Sequence, residues 1–227
     1  MDSGLPSYTE FVKLERKTLT RVRNELARYA VLRRAGDDAY KCLVAKQPKG
    51  FDFATHWDVE CPSRDCRVIL GAIIRKAPNH DKIVSMSHYL CIVEGREPVR
   101  RILRKFHFDY VNEADYRRGA HPRFHVQYGG ELTPAMKLMG VEDKHIQPLL
   151  PSVEGPRIFF WPMTLALLMN VAFYEFPTTD TDTIKRTSEW LSLLRENERI
   201  VLAPFYELCC RFAGKDAFVF SEKIYVN

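Results

Sequence analysis

Arg104-Lys105-Phe106-His107-Phe108-Asp109-Tyr110 and, a short stretch later, His121-Pro122-Arg123-Phe124-His125-Val126-Gln127-Tyr128 are the two segments on which the reading of this chain turns. In both, ring-bearing or aliphatic residues alternate with polar ones, the two-residue period of an extended strand. Phe106, Phe108 and Tyr110 share one face of the first segment, and Lys105, His107 and Asp109 the other. In the second, Phe124, Val126 and Tyr128 oppose His121, Arg123, His125 and Gln127. Residues 112–120 join them in a loop carrying Asp115, Arg117, Arg118 and Gly119, which makes an antiparallel hairpin. With that loop symmetric about Tyr116, His107 lies opposite His125 and Asp109 opposite Arg123. A one-residue slip would set rings against polar groups; a two-residue slip keeps the faces matched and stays open.

Two imidazoles, a carboxylate, a guanidinium and an amide on one face are unusual for a solvated sheet, which ordinarily carries Thr, Lys, Glu and Ser. Three kinds of chemistry fit. In metal-independent phosphodiester cleavage, one of His107 and His125 is base and the other acid, with Asp109 beside them and Arg123 and Lys105 on the anionic oxygens. In a metal site, His107, His121 or His125 and Asp109 are ligands to a divalent ion. In a binding site the same groups hold a phosphate or carboxylate. The competing reading is a partly exposed polar face whose histidines only cap loops or helix ends. Arg117, Arg118 and Gln127 complete the substrate-facing set, and Gly129-Gly130 either ends the strand or lets a ligand approach the backbone. Arg157, just before an apolar run, either meets an anion at a helix N-terminus or is an ordinary surface arginine.

Outward from the hairpin, further strands are expected at 40–45, 53–61, 67–74, 83–93 and 99–111, separated by turn-type clusters at 48–50, 62–65, 77–81 and 94–98. Short connections favour an antiparallel meander. Before it, residues 8–35 read as one long helix: Val12, Leu19 and Leu26 recur every seven positions, Val22 and Tyr29 add a second row, and no Gly or Pro intervenes before Gly36. After it, a short helix follows Thr133-Pro134, a Pro-rich linker spans Pro148, Pro151 and Pro156, and helices fit 162–176, 183–196 and 198–213. Thr183 or Asp182 caps the second of these, and 218–226 alternates as an edge strand. The sum is a single α+β domain over 1–227: a long N-terminal helix (1–36), a central antiparallel meander of about five to six strands (40–130) and a mainly helical remainder (131–227) packed on one face.

The run IFFWPMTLALLMNVAFY (158–174) is short of the about 20 apolar residues a bilayer needs, and reads as a central core helix opened by Pro162, not a membrane span. No basic stretch followed by an apolar run opens the chain, so the six cysteines are expected reduced and the protein cytoplasmic. Cys61 and Cys66 lack zinc-knuckle spacing, and no GxGxxG, P-loop, GxSxG or HExxH occurs, which leaves the common nucleotide-cofactor chemistries unsupported and the cofactor set empty unless a divalent metal binds. The net charge of +5 is uneven. Residues 1–36 and 96–123 each hold eight Lys/Arg against four acids, and the remainder is net negative. Such asymmetry suits a polyanion such as nucleic acid, or an ordinary solvated helix face.

His121-Pro122-Arg123-Phe124-His125-Val126-Gln127 with Gly129-Gly130, then Pro156-Arg157 and an apolar helix ending Phe173-Tyr174, resembles uncharacterised bacterial families with an HP-x-x-H strand, some of them found near toxin–antitoxin or phage-defence loci. The resemblance spans residues 99–176 and implies a bacterial cytosolic protein, favouring the RNase-like option. Two functions therefore stand: a small nuclease or phosphoesterase acting through His107 and His125, or a non-catalytic subunit that meets a protein partner through helix 8–35.

Overall fold

A computed structural model describes residues 4–26, 28, 50–61, 64–94, 101–111, 121–122, 124–129, 158–213 and 225–226. The chain folds as α+β around an antiparallel sheet. Helix α1 (Tyr8–Glu25) opens with a capping box: the Ser7 side chain accepts from the Glu10 N–H while the Glu10 carboxylate accepts from the Ser7 N–H. It ends ten residues earlier than its periodicity predicts. The Leu26 N–H donates to the Arg21 carbonyl, five residues back, Arg28 lies in a turn, and 29–35 fall outside the described residues. Of the expected rows, Leu19, Val22 and Leu26 are buried in the core together with Phe11 and Leu14, Val12 packs against it partly buried, and Tyr29 lies outside the described residues.

Strands β1 (Gly50–Cys61), β2 (Arg64–Lys76), β3 (Ile83–Glu94) and β4 (Arg101–Val111) form four long antiparallel neighbours in chain order. The expected strand 40–45 lies outside the described residues. The expected strand 121–128 is split. Two residues, β5 (His121–Pro122), pair with β8 (Tyr225–Val226) in a separate ladder, and β6 (Phe124–Tyr128) pairs with β4. Pro122 has no N–H to give a central ladder, which is reason enough for the chain to leave the main sheet there. A further short strand, β7 (Ile158–Phe159), flanks β6.

Helix α2 (Leu165–Glu175) is capped by Thr164, whose side chain accepts from the Leu167 N–H; Pro162 precedes the helix rather than starting it. Seven of its residues are buried, which makes it the central helix its composition predicts. Among the described residues no helix is long and apolar enough to cross a membrane. Helices α3 (Thr179–Ile184) and α4 (Ser188–Asn197) are capped by Thr178 and Thr187, not by Asp182 or Thr183, which lie inside α3. A five-residue π-turn, Glu198–Leu202, leads into α5 (Ala203–Ala213). One sheet face (Val68, Leu70, Ala72 and Ile74 of β2; Met86, Leu90 and Ile92 of β3; Tyr110; Phe124) shares a core with α1 and α2. The opposite face is also buried at Ile69, Tyr89, Cys91 and Val93. Cys66 is disulfide-bonded, against the expectation of reduced thiols, whereas Cys91, Cys209 and Cys210 are free.

Candidate functional site

The hairpin's two polar rows do fall on one face, but their register is the two-residue slip. Asp109 sits opposite His125 and His107 opposite Gln127, with Phe106 opposite Tyr128, Phe108 opposite Val126 and Tyr110 opposite Phe124. The loop-symmetric register would have set Pro122 against Tyr110 within the ladder and left an unpaired backbone acceptor. The observed one gains two ring pairs instead, Tyr110–Phe124 at 4.8 Å and Phe106–Tyr128 edge-on at 5.4 Å between centroids. The expected pair of facing imidazoles is thereby replaced by a carboxylate facing an imidazole. His125 Nε2 stands 3.6 Å from Asp109 Oδ2, beyond a good hydrogen bond but within ion-pair range.

Strand β3 supplies the other half of the face. Ser87 lies opposite Asp109, Tyr89 opposite His107 and Cys91 opposite Lys105. The Ser87 hydroxyl meets His107 Nδ1 at 3.0 Å, and the Tyr89 ring centroid is 6.1 Å from that of His107. His107 Nε2 is buried and has no hydrogen-bond partner among the described residues. The signal for these residues was present, since Ser85, Ser87, Tyr89 and Cys91 alternate along 83–93 as the hairpin residues do.

This face is not half-solvated. His107 is 8% exposed and His125 3%, and Lys105, expected to meet substrate, is as buried as they are. Burial, reinforced by the nearby Lys105 ammonium, pushes the His107 imidazole down to about 3. Burial also pushes the Cys91 thiol up to about 12, with Lys105 acting in the opposite sense. At neutral pH His107 is therefore held as the neutral imidazole. Solvent reaches the row through half-buried Ser87, Asp109 and Gln127.

Arg117, Arg118, Arg123 and Arg157 lie outside the described residues. The ladder sets Asp109 opposite His125. His121, a possible metal ligand by sequence, belongs to the separate β5–β8 ladder. Among the described residues no three His, Cys, Asp or Glu gather as a metal-ligand set. Gly129 takes φ +94° and donates its N–H to the Lys105 carbonyl at 2.8 Å. Nothing lies within 4 Å of where its Cβ would be, so backbone conformation, not crowding, calls for glycine there.

A second imidazole–carboxylate pair, unforeseen in the sequence, lies on the helix-facing side of the same sheet. Glu15 of α1 and His88 of β3 are fully buried, with Oε1 3.2 Å from Nε2, and both Glu15 oxygens accept from the Leu165 N–H at 3.2 Å. Glu15 thus joins α1 and β3 to the first turn of α2. Its position between Phe11 and Leu19 on the apolar stripe was the readable sign of burial. No protein-family model matches this chain, and no curated protein or solved structure does so either.

Proposed function

We propose that the chain is a phosphoester-directed hydrolase, nuclease-like in its preference for a polyanion, in which Asp109 and His125 handle the proton transfers. The observation that carries this reading is the Asp109–His125 register pair at the part of the basic face that reaches solvent. A carboxylate beside an imidazole raises its basicity and orients the ring, the arrangement a general base requires. His107 is reassigned: kept neutral and buried, it holds the row in place through the Ser87 hydroxyl, the Lys105 ammonium adds positive potential from beneath the surface, and Arg123 is the proposed direct partner of phosphate oxygens. The toxin or phage-defence setting, a bacterial cytoplasmic location and nucleic acid as partner belong to the same proposal. The purified chain would be assayed on bis(p-nitrophenyl) phosphate and single-stranded RNA, with and without added Mg²⁺. His125→Gln and Asp109→Asn are expected to lower the rate by about 100-fold or more, with circular dichroism unchanged. Wild-type rates in both variants, or no hydrolysis of either substrate by the parent protein, would end the catalytic reading.

A second reading, a non-catalytic subunit of a multi-protein system, is favoured by the burial of both imidazoles. Its docking surface cannot be the Leu19–Leu26 stripe, which the core already occupies; the exposed basic side of α1, with Lys13 and Arg16, takes its place. Lys13→Glu with Arg16→Glu would then abolish co-purification of a host partner, while His125→Gln would leave it intact.

A further inference from the structure

A cleft of about 630 Å³, sharing no lining residue with the histidine face, lies between the N-terminal segment, α1 and the π-turn. That volume is within the range of small-molecule sites, roughly 300–1,000 Å³. Leu5, Leu14 and Ile200 give it an apolar lining. Its two carboxylates are already engaged. Glu10 accepts from the Ser7 N–H at 3.2 Å and hydroxyl at 3.0 Å, and Glu196 is held by Lys17 and by Arg21 at 3.6 Å. Two cations remain, Lys13 and Arg199, both exposed at the rim and neither ion-paired among the described residues. An apolar recess with two uncommitted cations at its edge matches a ligand built the same way.

The walls of this cleft are held in place for reasons independent of its charge. In a continuous α-helix the Pro204 nitrogen would owe a hydrogen bond to the Ile200 carbonyl, and it has no hydrogen to give. The chain instead forms the π-turn, with the Ala203 N–H donating to the Glu198 carbonyl five residues back. Single π-turns inserted between α-helices occur frequently at functional sites, and this one carries Arg199 and Ile200 into the cleft. On the facing side Gly4 takes φ +68° and packs so closely that a Cβ would lie 3.3 Å from Leu208 Cδ2 and 3.4 Å from the Pro204 carbonyl oxygen. Only glycine lets Leu5 and Pro6 turn onto α1 at that point.

We propose that this cleft binds a small amphipathic anion, an apolar chain or ring ending in a carboxylate or phosphate, with the apolar part against Leu5, Leu14 and Ile200 and the headgroup between Lys13 and Arg199. The inference does not depend on the hydrolase reading. The test is isothermal titration of the full chain with decanoate, decyl phosphate and decanol, repeated on the Lys13→Gln/Arg199→Gln double variant. Both side chains are exposed, so the variant should keep the parent's melting curve. The expected result is single-site binding of one or both anions, at least about tenfold weaker in the double variant and at least about tenfold weaker for decanol. A preference for decanoate over decyl phosphate, or the reverse, identifies the headgroup and supports the proposal either way. Absence of binding of either anion to the folded protein, undiminished binding in the double variant, or decanol binding as tightly as the anions would overturn it.

Discussion

One sheet carries two imidazole–carboxylate pairs on opposite faces, and they differ in what surrounds them. His88–Glu15 is sealed: both side chains are 0% exposed, and the carboxylate also accepts from the first backbone N–H of α2. His125–Asp109 is open at one end: the imidazole is buried, but the Asp109 side chain keeps 20% of its surface and the separation widens to 3.6 Å. A carboxylate whose acceptor positions are filled by protein donors joins elements together. One that still faces water can exchange protons with it. The difference in exposure sets the first pair apart as architecture and makes the second the one the proposed hydrolase would use.

The sharpest way to break the comparison is at the sealed pair. Glu15→Ala removes the partner of His88 Nε2 and of the Leu165 N–H together, at a position sealed from bulk solvent. Losing one side of a buried pair costs about 3–5 kcal/mol, a large part of a typical domain's total stability. Urea denaturation should register that loss as a lower midpoint, and Glu15→Gln should recover part of it by keeping an acceptor oxygen. A Glu15→Ala variant as stable as the parent would make the pair incidental.

What the sequence made legible follows the same division. Alternation in 83–93 and 99–111 marked strands correctly, and the apolar run near 165 marked a core helix, because period and composition are local properties. Alternation says which residues share a face, not what covers it, so a face bearing Lys105, His107 and His125 looked solvated and is buried. Patterning could not choose between registers two residues apart, although Pro122, unable to donate within a central ladder, was the available clue. Glu15 and His88 are 73 residues apart, and no local rule pairs them.

The buried face should also show itself through pH. The folded His107 titrates near 3 against an ordinary value of 6.5, so between those limits the unfolded chain binds more protons than the native one. Stability therefore rises with pH across that window and is flat above it. From pH 6.5 to 4.5 the loss from this group alone is about 2–3 kcal/mol. His107→Gln keeps a polar group near the Ser87 hydroxyl without the titration, and its stability should fall less steeply over the same interval. If parent and variant have the same slope in paired denaturation series at pH 4.5 and 6.5, His107 is not held neutral by its surroundings.

The smallest effect, and the one that best separates the two pairs, is their coupling energy. A double-mutant cycle on Asp109→Asn and His125→Gln isolates the interaction from the cost of each truncation. With Asp109 partly open to solvent and the two groups 3.6 Å apart, water screens much of the attraction, and a coupling of about 0.5–1 kcal/mol is expected. The same cycle on Glu15→Gln and His88→Gln should give a coupling at least twice as large, since no solvent intervenes. Raising salt from about 0.1 M to 1 M shortens the screening length from about 10 Å to 3 Å and should erode the first coupling while leaving the second unchanged. Equal couplings with equal salt dependence would mean that Asp109 is as enclosed as Glu15, and a buried carboxylate with no route to solvent cannot serve a hydrolytic base.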